Sequence, residues 1–320
     1  MKENVKVSEF DDVLAKQKKN KRKERIKSYI PLYLMMLPGM IYLIVNNYFP
    51  MFGILLAFKK INYAKGIFNS PWVGFDNFAY LFKTKDALIM IRNTVLYNIV
   101  WIGLDLVIAV FVAICMNEIA KRRVAKVIQP VICFPSMVSA VILSFLVYAF
   151  LSVSYGYFNT VFFPNNPISW YTEAKYWPLI LTIVHIWQNA GQSSIIYMAS
   201  IGGIDKGLYE SARIDGATKW EQIKYITLPL LKPMIIMMLL LSVGRIFNSD
   251  FGLFYQVPLG NGMLYNTTQT IDTYVYRALM VNNNVGMSLA ASVFQAVIGF
   301  VTVLISNLLV KKVNPENSLF

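Results

Sequence analysis

IRNTVLYNIVWIGLDLVIAVFVAICMN, residues 91–117, carries no charge after Arg92 except Asp105. A helix needs roughly 20 mostly apolar residues to cross a hydrocarbon core about 30 Å thick, and this run is longer than that. Backbone groups in lipid must be satisfied within the spanning structure, which leaves helices or closed barrels. A barrel is built from short alternating strands, and no such alternation is present. The run therefore reads as a transmembrane helix.

Five further runs of the same kind flank it: Ile30–Phe58, Val127–Leu151, Tyr176–Ser200, Met234–Phe254 and Met287–Val310. The fold expected is all-α, an integral membrane protein with six transmembrane helices. Composition agrees, because 15% of the 320 residues are charged and 56% are hydrophobic, against about 25% charged in soluble domains. One membrane domain, 30–310, is expected between a basic N-terminal tail, 1–29, and a C-terminal tail, 311–320. No second soluble domain, repeat or cleavable signal peptide is evident. Aromatics crowd the segment after the first span, with Trp72, Phe75, Phe78, Tyr80 and Phe82, as at headgroup level.

The net charge of +13 raises the question of a nucleic-acid partner, and its distribution answers no. Eight Lys/Arg lie in Lys16–Lys27, directly before the first span, where positive charge holds a terminus in the cytoplasm. The two tails, Glu118–Lys126 and Ile201–Pro233 together hold 21 Lys/Arg, against 7 in Lys59–Met90, Ser152–Lys175 and Tyr255–Gly286. Both termini are expected in the cytoplasm. The two cysteines, Cys115 and Cys133, fall inside apolar runs, so no disulfide framework is implied. A single histidine leaves little for metal chemistry, and no metal site is expected.

The segment Ile201–Pro233 is not loop-like. Asp205 fits the N-cap of a helix over Lys206–Ile214, with Gly216 where helices commonly end. Thr218-Lys-Trp-Glu221 fits a capping box, opening a second short helix expected to end at Leu228-Pro229. Local structure leaves two readings open: a firm knob offered to a soluble partner, or an amphipathic hairpin lying on lipid headgroups.

The residues decide between them. Glu210-Ser-Ala-Arg-Ile-Asp-Gly-Ala217, then Trp220, then Ile226-Thr-Leu-Pro229, resembles the cytoplasmic loop signature of ABC importer permeases, with Ser211 in place of its central alanine. Arg92-Asn-Thr94, Phe134-Pro135 and Gly286-Met-Ser-Leu-Ala290 extend the likeness over most of the six-span region. It is similar above all to the maltose-type, binding-protein-dependent permeases for oligosaccharides and polysaccharide fragments. The resemblance implies a coupling loop, with Glu210, Ser211, Ala212, Asp215, Gly216, Ala217, Trp220, Leu228 and Pro229 docking a separate ATPase. It implies as partners a second permease, two cytoplasmic ATPases, an extracellular or periplasmic solute-binding protein, an oligosaccharide and the surrounding membrane lipid. No cofactor is expected in this chain. ATP and Mg belong to the partner ATPase, because a Walker A loop requires Gly-Lys and no Gly-Lys pair occurs here.

Polar residues inside spans are costly and mark wet cavities or packed partners. His185, Gln188, Asn189 and Gln192 stand at i, i+3, i+4 and i+7, on one helical face. Their donors and acceptors suit sugar hydroxyls, and the resemblance assigns solute contacts to these same positions. Bonding between helices is the alternative. Arg245, Asn248 and Asp250 follow in the fifth run, and Ser136 is a weaker candidate. Arg245 reads either as a uronate ligand or, with slight preference, as the ion-pair partner of Asp105 or Asp250. A membrane-embedded enzyme would need a catalytic constellation, and His185 has no nucleophile or carboxylate cluster beside it in its span. A secondary transporter would usually show more spans, internal repeats and broken helices.

Overall fold

A computed structural model of the chain describes residues 26–27, 29–67, 69–119 and 122–313. The expected basic tail through residue 25 and the C-terminal tail from residue 314 lie outside these. Among the described residues every regular element is helical, apart from an isolated antiparallel bridge between Lys59 and Trp72. The chain divides into two units, Met1–Leu55 and Leu56–Phe320. The described part of the first is almost entirely the helix α1 (Tyr29–Phe58), whose last residues begin the second. Its apolar side chains, Met35 and Phe49 among them, are exposed. A π turn over Ile44–Tyr48 precedes Pro50. The wider turn accommodates a ring that has no N–H and would crowd the carbonyl four residues back.

The second unit is built around two long helices, α3 (Lys85–Glu118) and α6 (Trp177–Gly202), packed along each other. Ala109 and Ala113 of α3 are fully buried beside Tyr197 and Ile201 of α6, small residues that let the backbones approach. Farther along, Tyr97 and Trp101 of α3 join Trp177 and Leu181 of α6 in a second buried cluster. A third cluster ties α2 (Asp76–Lys83) and the start of α3 to α9 (Ile271–Met280) and α10 (Val285–Val313). Thus α9 is a packed helix within Tyr255–Gly286, between the fifth and sixth apolar runs.

Three departures from regular spans shape the centre of the unit. The run expected as a third span is two helices, α4 (Arg122–Cys133) and α5 (Ala140–Leu151), bent by 94°. Pro135 lies in the connecting turn, and Ser139 caps α5 by accepting from Ile142 N–H. At the crossing with α6, a Cβ on Gly191 would stand 2.1 Å from the Ile132 carbonyl oxygen, so only glycine fits there.

The other two concern α8 (Lys219–Gly244), which follows the expected short helix α7 (Lys206–Ile214). The second short helix does not end at Leu228-Pro229, as expected. A π turn over Ile223–Thr227, with Leu228 N–H reaching Ile223 O, carries the helix through Pro229 and on past Pro233. The expected span to Phe254, in turn, is not continuous. The α-helix stops at Gly244, and the backbone runs as turns until it winds again from Phe251. Among the described residues four helices are long and apolar enough to cross a membrane, namely α1, α3, α8 and α10, and the bent pair would make a fifth. The 26-residue α6 is not among them, because its polar face dilutes an otherwise apolar sequence.

Candidate functional site

The polar face of α6 does not act as one surface. His185 Nε2 lies 2.9 Å from Asp105 Oδ2 of α3, and its ring stacks on Trp101 with centroids 3.8 Å apart. Asn189 donates to the His185 carbonyl oxygen at 3.0 Å, with its amide also 3.4 Å from Nδ1. Gln188 turns the other way. Its Nε2 donates at 3.3 Å to the Val138 carbonyl oxygen, an acceptor freed where α4 and α5 bend. Ser136 donates to the Cys133 carbonyl oxygen within its own turn.

Asn189 and Gln192 do open onto a cavity of about 430 Å³ between α3, α6 and α8. Asp105, Ser193, Ser242 and Arg245 share its wall, while Ile102, Leu106, Ile196 and Met238 supply the apolar part. Polar and apolar groups share this wall about equally, a more polar lining than most ligand pockets have. Asp105 was foreseen only as an ion-pair partner, and Ser193 and Ser242 were not foreseen at all. Short hydroxyls scattered in apolar runs give no periodic signal.

Arg245 reaches the cavity because α8 breaks. It is exposed and, among the described residues, forms an ion pair with neither Asp105 nor Asp250, contrary to the pairing preferred from sequence. Asp105 is taken by His185. Asp250 Oδ1 accepts from Leu253 N–H at 3.1 Å and so caps the turn that follows. The Asn248 carbonyl oxygen accepts from Asn98 Nδ2 at 2.9 Å. Neither Asn248 nor Asp250 lines the cavity.

The segment between α6 and α8 has the local chemistry its residues dictate. Asp205 Oδ1 accepts from Gly207 N–H at 2.9 Å and caps α7. Thr218 and Glu221 form the expected box, with Thr218 N–H donating to Glu221 Oε2 at 2.7 Å and Glu221 N–H to Thr218 Oγ1 at 3.3 Å. Gly216 sits between them at φ +82°, in the left-handed region glycine favours. There Ala217 N–H donates to Ala212 O at 2.8 Å and Gly216 N–H to Arg213 O at 3.1 Å, a Schellman ending that satisfies the last carbonyls of α7. Asp215 N–H donates to Ser211 O, and Ser211 Oγ donates to Leu208 O.

The turn presents Ile214 and Trp220 to the outside, 87% and 69% exposed, and Leu228 at its far end is also exposed. Behind it, Tyr209 and Thr227 hydroxyls lie 2.9 Å apart, and Lys219 Nζ donates to Glu118 Oε2 at 2.6 Å. Glu210 and Arg213 line a depression here without forming an ion pair among the described residues.

Residues 105–315, which contain this turn and all of the cavity wall except Ile102, match the family described as binding-protein-dependent transport system inner membrane component. The chain belongs to this family. It is 34% identical, over 93% of its length and 94% of the relative's, to the polygalacturonan/rhamnogalacturonan transport system permease protein YteP of Bacillus subtilis (strain 168). Its fold matches a permease chain in the crystal structure of a bacterial ABC transporter involved in the import of the acidic polysaccharide alginate. The TM-score is 0.82 at 31% identity, over 91% of this chain and 98% of that one. A second crystal structure, of the bacterial alginate transporter in complex with alginate pentasaccharide-bound periplasmic protein, gives 0.80 at 30% identity over 91% and 97%. The chain is therefore an ABC importer permease, a transport subunit and not an enzyme, and an inner-membrane component.

Proposed function

We propose that this permease forms half of the translocation pore of an ATP-driven oligosaccharide importer, docking a cytoplasmic ATPase through Ile201–Pro233. The observation that carries the reading is the exposed apolar turn around Gly216, with Ile214 and Trp220 at its edge. An apolar knob held by two caps and a Schellman ending is firm enough to transmit a push. A second permease completes the pore, two ATPases hold ATP and Mg, and a solute-binding protein delivers the cargo from outside. Carbohydrate as cargo is supported by the relatives' polysaccharide substrates and by a cavity walled with amides and hydroxyls beside apolar side chains.

The chain on this reading crosses the membrane six times, α4–α5 and α6 making the third and fourth crossings, with both termini and the docking turn cytoplasmic. The asymmetry of Lys/Arg supports that orientation. Labelling cells that express cysteine substitutions with a membrane-impermeant thiol reagent tests it. Asn77→Cys and Asn283→Cys are expected to react from outside, and Lys219→Cys only after the membrane is opened. Reaction of Lys219→Cys in intact cells would overturn the orientation and the docking role together.

A further inference from the structure

We infer that Arg245 is the carboxylate-reading group of the cavity, so that the favoured cargo is an oligosaccharide bearing uronic acid. This rests on the carbohydrate reading above and names the substrate class of the same cavity.

The guanidinium has no ion-pair or hydrogen-bond partner among the described residues, although the sequence offers Asp105 and Asp250 as candidates. Asp105, on the same cavity wall, is held by His185 at 2.9 Å, and Asp250 is engaged as a cap. Arg245 is exposed at the cavity wall, so its guanidinium is accessible to a cargo group and has no internal counter-charge to give up. A cargo carboxylate would supply the missing charge through two parallel hydrogen bonds, as the guanidinium fork favours. The amides of Asn189 and Gln192 and the hydroxyls of Ser193 and Ser242 share the cavity, so one site offers partners for both the carboxylate and the hydroxyls of a uronate.

The placement of Arg245 is built into the fold. The break after Gly244 is pinned from α9, where Asp272 Oδ2 accepts from Ser249 N–H at 2.6 Å and from Ser249 Oγ at 2.7 Å. It is also pinned from α10, where Gln295 Nε2 donates to the Phe247 carbonyl oxygen at 2.8 Å and to Asp272 Oδ1 at 3.2 Å. With Asn98 on the Asn248 carbonyl, these bonds satisfy backbone groups that an unwound segment would otherwise leave bare. A broken helix whose freed groups are satisfied one by one, at the wall of a polar cavity, matches the way membrane transporters build solute sites.

The test is equilibrium binding of labelled trigalacturonate and of its fully methyl-esterified form to the complete purified transporter, without its binding protein. Wild type is expected to prefer the acid. Arg245→Gln should weaken acid binding by roughly 10- to 100-fold, the worth of a charged hydrogen-bonded contact, and leave the ester unchanged. Arg245→Lys should fall between. Equal loss for both ligands would make Arg245 structural and overturn the inference, as would no loss for either. Wild type binding acid and ester alike would overturn it while leaving the carbohydrate reading intact. Binding of neither would remove both.

Discussion

Replacing Gly216 separates conformation from contact at the turn proposed to dock the ATPase. A Cβ built at this position meets nothing within 4 Å, while φ is +82°, so the whole cost of an L side chain is torsional. That cost is about 1–2 kcal/mol for an ordinary residue, which lowers the population of the turn by roughly 5- to 30-fold. Gly216→Ala should lose that much, and Gly216→Val more, because a β-branched residue tolerates the region least. Gly216→Asn should lose least, since asparagine is enriched there. When the turn opens, the bonds to the Arg213 and Ala212 carbonyls go with it, and Ile214 and Trp220 no longer stand in fixed register. The measurement is co-purification of the ATPase with the permease, together with ATP hydrolysis stimulated by loaded binding protein. Both should fall in the order Asn, Ala, Val, while the amount of permease inserted in the membrane stays constant. Equal, wild-type values for all three variants would refute the conformational reasoning, and loss of insertion would refute the claim that the effect is local.

Two further substitutions follow from the α6 geometry and the latch behind the turn. Gln192→Leu, on the cavity wall, should cut uptake with the complex still assembled, whereas Gln188→Leu strands the Val138 carbonyl at the α4–α5 bend and should lower yield and thermal stability by about 1–3 kcal/mol. The opposite pattern in uptake and melting measurements would reverse their roles. The Lys219–Glu118 pair is partly exposed, 57% and 30%, so breaking it should cost no more than about 1 kcal/mol. A double-mutant cycle on stimulated ATP hydrolysis should then show Lys219→Glu rescued by Glu118→Lys, and strict additivity would mean that the pair transmits nothing.

Much of the fold is readable in the sequence because its signals are local. The apolar runs, the Asp205 cap, the Thr218–Glu221 box and the turn at Gly216 each depend on a few adjacent residues. What escapes is set by partners distant in the chain. No proline marks a break in Gly244–Phe251, and Gly244 with Asn248-Ser-Asp250 gives only a weak turn signal inside an apolar run. The unwinding is held by Asp272 and Gln295, more than twenty and forty residues on. Pro229 reads as a helix end, and only the π turn before it lets α8 continue. Helical spacing places four polar residues of α6 on one face, but the 94° bend of α4–α5 takes Gln188, and Asp105 takes His185. Of that stripe, Asn189 and Gln192 are left facing the cavity.

The proposed function is to move a carbohydrate at the expense of ATP hydrolysed by a separate subunit docked on Ile201–Pro233. Its most direct test is uptake of labelled oligosaccharide into proteoliposomes holding the complete transporter, with binding protein outside and ATP trapped inside. The expected result is accumulation that requires both internal ATP and the binding protein, and that disappears with Gly216→Val while the permease remains in the bilayer. Accumulation that persists without ATP, driven instead by an imposed proton or sodium gradient, would mean that no ATPase powers this permease.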